Sequence, residues 1–254
     1  MKTTEQTIDV PTADGDMAVV ITEPTGKRTK KQGPWPVVMY FIDAPGLRPA
    51  TREFMERLAG KGYRVVTPDL HHRHGRLKYF EPSDMADPKK AEKNRSEMMG
   101  WIGSMTDDQI QHDMHCALMG AGVDDDAPFA SIGFCLGARA VYRAIERQPD
   151  RCIAGAGWHP SFLVDDGPDS PHLSAAGLKR PLYLGIGEAD AIQSIAMHQP
   201  FLDAVAPLDH VLVETFEGAD HGFSWPGYPT YHSTAAETSW VKTLDLFSAA
   251  FAKA

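Results

Sequence analysis

Six short apolar runs alternate along this chain with five stretches of helical character, and that alternation restricts its fold more than any other feature. The runs are Val37–Ile42, Arg64–Pro68, Phe129–Phe134, Cys152–Trp158, Leu182–Gly187 and His210–Phe216. Each has the length and β-branched content of a buried strand. Thr51–Lys61, Thr106–Ala121, Leu136–Arg147, Ser194–Ala206 and Ser233–Ala252 carry the helical pattern. Such an order implies a mostly parallel sheet with helices on both faces. Met17–Thr22 adds an early antiparallel strand, and Thr25–Pro36, rich in Lys and Pro, reads as a turn. The polar stretch Asp69–Met105 reads as the main irregular insertion; it follows a strand's carboxyl end, the edge where open α/β sheets bind ligands. At 254 residues, one domain over residues 1–254 is expected.

Composition narrows the function. A net charge of −9 argues against nucleic acid or an anionic membrane as the main partner. No stretch approaches a membrane span in apolar length, and Met1–Val10 lacks the apolar centre of a secretory signal. Three cysteines at wide spacing suit a reducing compartment, so a cytoplasmic protein is expected.

The chemistry is carried by Gly133-Phe134-Cys135-Leu136-Gly137, a Gly-x-Cys-x-Gly pentapeptide between an expected strand and an expected helix. Glycines on either side permit a turn so tight that the central side chain is forced outward, at the positive end of the next helix. Serine usually occupies that position in α/β-hydrolases; here it is a thiol. A free thiol, with a pKa near ~8.5, is only slightly ionised at neutral pH and needs help from the helix terminus and a base. Cys116 and Cys152 lack such a setting and read as core.

His221 follows the strand run and the turn Glu217-Gly218-Ala219, which puts it on the same sheet edge as the elbow. Asp190 occupies the equivalent loop one strand earlier. The order nucleophile, acid, histidine is that of α/β-hydrolase triads. Glu188 and Asp220 are alternative acids, less suited because one adjoins the strand and the other the histidine. His159 is the alternative base, although it precedes the acid loop. For an oxyanion, the Leu136 amide and the Ala44 amide are the expected donors. Asp43, just before Ala44, is expected to project close to Cys135 and disfavour its ionisation, or else to form the turn before Pro45.

Other residues read as substrate contacts. Arg73 and Arg76 suit a substrate carboxylate, and His159 ends a strand at the pocket wall. Phe223 and Trp225 crowd the loop after His221, implying an aromatic-lined pocket. His71, His72 and His74 have no accompanying acid or thiol at ligand spacing, so no metal is expected. Arg139, one turn after Cys135, reads as structural.

The cysteine elbow, Gly187-x-x-Asp190, Gly218-Ala219-Asp220-His221-Gly222-Phe223 and Pro68-Asp69-Leu70 together resemble the dienelactone hydrolase (carboxymethylenebutenolidase) family from about residue 37 to the C-terminus. The resemblance implies an α/β-hydrolase fold without a large cap domain, no cofactor, and a triad of Cys135, His221 and Asp190 that opens a small lactone or ester. Departures accompany it: Asp43 stands where the family's early loop carries glutamate, and Gly222 and Trp225 stand where the dienelactone enzyme has serine and a carboxylate-binding arginine. A carboxylesterase or thioesterase on the same fold is the alternative activity, and a non-catalytic small-molecule-binding protein is the alternative class. Oligomeric state is not legible here.

Overall fold

The computed structural model describes residues 1–26, 28–29 and 33–254. The turn expected over Thr25–Pro36 therefore includes four positions, 27 and 30–32, outside the described residues. Two compact units divide the chain, Met1–Ala127 and Pro128–Ala254.

The first unit opens with β1 (Thr3–Thr12) and β2 (Gly15–Pro24), an antiparallel hairpin closed between Thr12 and Gly15. Gly15 has a φ of 112°, open to glycine at no steric cost. β3 (Val37–Phe41), α1 (Pro49–Ala59) and β4 (Arg64–Pro68) follow as a parallel crossover, and β2 pairs antiparallel with β4. The strand order is β1-β2-β4-β3. α1 starts with Pro49, whose missing N–H is tolerated in a first turn, and buries Phe54, Met55 and Leu58. Beyond β4 come α2 (Pro82–Ala86), α3 (Ala91–Gly103) and α4 (Asp107–Gly120). Thr106 and Gln109 form a reciprocal capping box that starts α4.

The second unit is a four-stranded all-parallel array. Its elements are β5 (Phe129–Phe134), α5 (Leu136–Arg147), β6 (Cys152–Trp158), α6 (Pro171–Ser174), β7 (Leu182–Gly187), α7 (Ile195–Val205), β8 (Val211–Phe216) and α8 (Ser233–Phe251). The strand order is β5-β6-β7-β8. Every residue of β5, β6 and β7 is buried, as expected for strands covered on both faces. α5 lies close against β6 because two strand residues lack side chains: a Cβ on Gly155 would stand 2.4 Å from Ile145 Cδ1, and one on Gly157 2.9 Å from Ala138 Cβ. On α8, Thr243 accepts a hydrogen bond from Trp158 Nε1 at 3.0 Å, and Ser239 takes one from Tyr183 OH at 3.0 Å.

Two sequence expectations are corrected. Asp69–Met105 is not irregular throughout, since it contains α2 and α3. β1 was not expected as a strand at all. Among the described residues, no helix is long and apolar enough to cross a membrane.

Candidate active site

Cys135 leaves β5 and enters α5 with φ 55° and ψ −118°, a backbone state rare for a side-chain-bearing residue and worth about 1–3 kcal/mol of strain. The surrounding glycines make the elbow possible: a Cβ on Gly133 would lie 2.1 Å from the carbonyl oxygen of Gly137. The turn is then pinned by the backbone. Cys135 N–H donates to Trp158 O at 3.1 Å, and its carbonyl accepts from Ala138 N–H at 3.1 Å and Ser161 N–H at 2.9 Å. The sulfur thus stands at the N-terminus of α5, where the helix dipole favours negative charge. Ser161 Oγ lies 3.2 Å from it.

Asp190 sits on the loop after β7. Its Oδ1 accepts from the backbone N–H groups of Ile192 (2.9 Å) and Gln193 (2.6 Å), leaving Oδ2 to meet His221 Nδ1 at 2.7 Å. Burial alone would push the Asp190 carboxyl up, but the His221 hydrogen bond and charge and the two amides bring it below the ordinary carboxylate range. Burial likewise opposes a charge on His221. The Cys135 charge, the hydrogen bonds to Asp190 and to Cys135, and the Asp190 charge outweigh it and raise the imidazole to about 10. Nδ1 is engaged by Asp190, and Nε2 is buried. His221 therefore favours its protonated form.

The alternative acids occupy other positions. Asp220 Oδ1 accepts from its neighbour His221 N–H at 2.7 Å and from Ala191 N–H at 3.0 Å, so it ties the two loops together by their backbones. Glu188 is exposed. A Cβ on Gly187 would lie only 2.2 Å from Ala219 O, so the acid loop and the histidine loop touch backbone to backbone.

His159 lies against His221, ring centroids 5.1 Å apart at 70°. Phe223 packs edge-on to His159 at 5.3 Å, and Trp225 lies 4.8 Å from Phe134. Phe223 and Trp225, expected as pocket lining, are 0% and 2% exposed, so they back the two histidines from inside the core. The backbone between His159 and Phe162 is strained at both ends, with φ 36° and φ 61°. It is held by Arg139, which donates to Phe162 O at 2.8 Å and pairs with Asp165, and by Gln193, whose Oε1 accepts from Phe162 N–H at 3.2 Å. Arg139 is structural, as read from sequence.

Two neighbours of the site, Gln193 and His198, escaped sequence reading, and Ser161 was read only as part of the pocket wall. His198, buried on α7, feels the charges of Asp190 and His221, and burial moves its imidazole below the usual range. Only the placement of Ser161 at a strand's carboxyl end offered a signal.

The remaining candidates lie in the first unit. Asp43 does not stand as an unattached carboxylate: Arg48, buried, grips it bidentately at 2.5 and 2.7 Å and also donates to Gly46 O at 3.1 Å. Ala44, expected as an oxyanion donor, follows β3 and is bound through its carbonyl to His71 Nε2 at 2.9 Å. Arg73 and Arg76 are corrected as carboxylate ligands. Arg73 donates to both oxygens of buried Asp113 at 2.7 and 2.9 Å and to Asp14 at 2.7 Å. Arg76, 56% exposed, donates to Asp9 at 2.9 Å. His72 faces Asp113 at 3.4 Å, and His74 lies 2.8 Å from Ser104 Oγ, so the histidines of this segment each turn to different partners.

Comparison with known proteins follows the same lines. The model of the dienelactone hydrolase family matches residues 21–251. A carboxymethylenebutenolidase of Pseudomonas sp. (strain P51) is 24% identical over 217 residues, covering 85% of each chain. A solved chain from Klebsiella pneumoniae subsp. pneumoniae MGH 78578 superposes with a TM-score of 0.79 at 20% identity, covering 98% of this chain and 99% of that one. A dienelactone hydrolase-like promiscuous phosphotriesterase from metagenomic libraries superposes with a TM-score of 0.75 at 22% identity, with the same coverage. The fold is that of the α/β-hydrolases.

Proposed function

This chain belongs to the dienelactone hydrolase family, and from that membership we propose that it hydrolyses a small ester or lactone through Cys135, His221 and Asp190. That it is a hydrolase of carboxylic ester or lactone bonds follows from the family. The observation that supports the finer reading is the 2.7 Å contact of Asp190 Oδ2 with His221 Nδ1, on an imidazole raised to about 10.

In the proposed reaction, Cys135 Sγ attacks the carbonyl carbon as thiolate, and negative charge moves to the carbonyl oxygen. The Leu136 N–H, first amide of α5, donates to that oxyanion. Collapse of the tetrahedral intermediate breaks the carbon–oxygen bond, and imidazolium His221 gives its Nε2 proton to the leaving alkoxide or enolate. Cys135 then holds the acyl group as a thioester. Neutral His221 takes a proton from water, the hydroxide attacks the thioester carbon, and the released thiolate restores the ion pair. Asp190 keeps the imidazole oriented and stabilises its charge. In a lactone the leaving oxygen stays tethered and can close again, so an enolate leaving group, poorer as a nucleophile, suits this site better than a plain alkoxide. With Arg73 and Arg76 engaged by aspartates, the reading does not depend on a substrate carboxylate.

Replacement of Cys135 by Ala is expected to abolish hydrolysis while circular dichroism and melting remain those of a folded protein. Turnover by that variant would remove the covalent route. Relative rates on enol-lactones, p-nitrophenyl esters and acyl thioesters then separate lactone hydrolysis from general esterase or thioesterase action.

A further inference from the structure

We propose that the Ser161 hydroxyl holds the Cys135 sulfur, donating to it in its ionised state and fixing the direction from which it attacks; the inference rests on Cys135 being the nucleophile. Ser161 Oγ stands 3.2 Å from Sγ, and the residue is only 1% exposed, so water does not compete freely for the hydroxyl. The same residue's N–H donates to the Cys135 carbonyl at 2.9 Å. Ser161 therefore grips the elbow at two points, the backbone and the reacting atom.

The loop that presents it is built for one conformation. His159 and Phe162 both have positive φ although neither is glycine, and Ser161 lies between them behind Pro160. Such strain persists where surrounding contacts over-determine it. Here those contacts are His159 N–H to Gly185 O at 2.8 Å, Arg139 to Phe162 O, and Gln193 to Phe162 N–H. Arg139 comes from the first turn of α5 and Gln193 from the Asx turn of Asp190. Ser161 is thus positioned by the same two elements that carry Cys135 and the acid.

A hydroxyl is a sound partner for this sulfur. As thiolate, Sγ is a pure acceptor, and the serine O–H can donate to it at 3.2 Å. As thioester, the sulfur carries no charge and the interaction weakens, so the hydroxyl favours the ion pair over the covalent intermediate and assists thiolate departure in the second step. The titratable groups around the pair in this unit are His221 with Asp190 on its far nitrogen, His159 against the His221 ring, and His198 beside Asp190. None of them is removed by changing Ser161.

The test is the pH dependence of alkylation by iodoacetamide, with thiolate ultraviolet absorbance as a second readout. Ser161→Ala is expected to raise the midpoint by about one pH unit, a tenfold loss of thiolate at a fixed pH below it. Ser161→Thr, which retains the hydroxyl, is expected to restore it. A purely structural role would lower the melting temperature of Ser161→Ala and leave the midpoint in place, and that result overturns the proposal. The assay reads the thiol and not turnover. A Cys135→Ala variant that still hydrolyses ester would sink the proposed reaction without moving this midpoint.

Discussion

In the proposed reaction the chemistry turns on one proton exchanged between sulfur and imidazole. There, an imidazole raised to about 10 keeps its proton across neutral pH and pairs it with a Cys135 thiolate. Alkylation of the wild-type thiol is therefore expected to stay nearly level from about pH 7 to 9, whereas in His221→Gln it should climb as a free thiol titrates near ~8.5. A rising profile in both would show that the imidazole does not hold the proton. The stability arithmetic has the matching sign. A raised histidine contributes stability that is whole below its unfolded pKa of 6.5 and disappears as pH rises through about 10. The gap in unfolding free energy between wild type and His221→Gln should thus close at alkaline pH. Cys135, Asp190 and His221 could be singled out in the sequence because each is tied to a motif: an elbow, a strand end, a glycine-flanked loop. Gln193 and His198 could not, and neither could the contact of Ser161 with the sulfur, since such partners are set by the folding of loops that no local pattern encodes. The buried ion pair of Asp43 with Arg48, five residues on, was not legible, because nothing in the sequence marks that arginine as buried.

Among elements, three of the buried strands were read to the residue and the polar β1 was missed. Phe129–Phe134, Cys152–Trp158 and Leu182–Gly187 match β5, β6 and β7 because continuous apolar runs have sharp ends. β1 alternates Thr, Glu, Gln and Asp with little apolar content, and it pairs with β2 through its backbone. α3 buries only Trp101, so it lacks the apolar stripe that marks a helix. The α5–β6 contact yields a clean prediction. Gly155→Ala would put a methyl group 2.4 Å from Ile145 Cδ1 and 2.5 Å from Val141 Cγ1. Overpacking of this kind costs about 1–3 kcal/mol. Denaturant titration should show that loss, with the Cys135 alkylation profile retained; an unchanged midpoint of unfolding would mean that the helix yields without cost.

At the scale of the molecule, the arginines read as substrate ligands turn out to be ties of the first unit. Arg73 joins the β1–β2 turn at Asp14 to α4 at Asp113, which is wholly buried. Breaking a buried pair from one side costs about 3–5 kcal/mol, and His72 beside Asp113 keeps the expected loss from Arg73→Ala near the lower end. Burial opposes ionised Asp113, yet its bonds to His72 and Arg73 hold the carboxyl below its usual range. Its contribution is therefore present above the unfolded carboxyl pKa and fades in acid, so wild type and Arg73→Ala should converge in stability as pH falls. KM for substrate should not change; a large rise in KM would return Arg73 to the binding role. The outline of the fold was legible from the alternation of runs, while these polar ties were not, because a charged residue on a loop looks alike whether it faces solvent, ligand or a buried acid. One further consequence belongs to Gly187. At the point where it meets Ala219, hydrogen is the largest substituent that fits. A chain with sulfur, imidazole and carboxylate all intact would still be expected to fall silent if this one bare carbon gained a methyl group, a lesion that no inventory of reactive groups would detect.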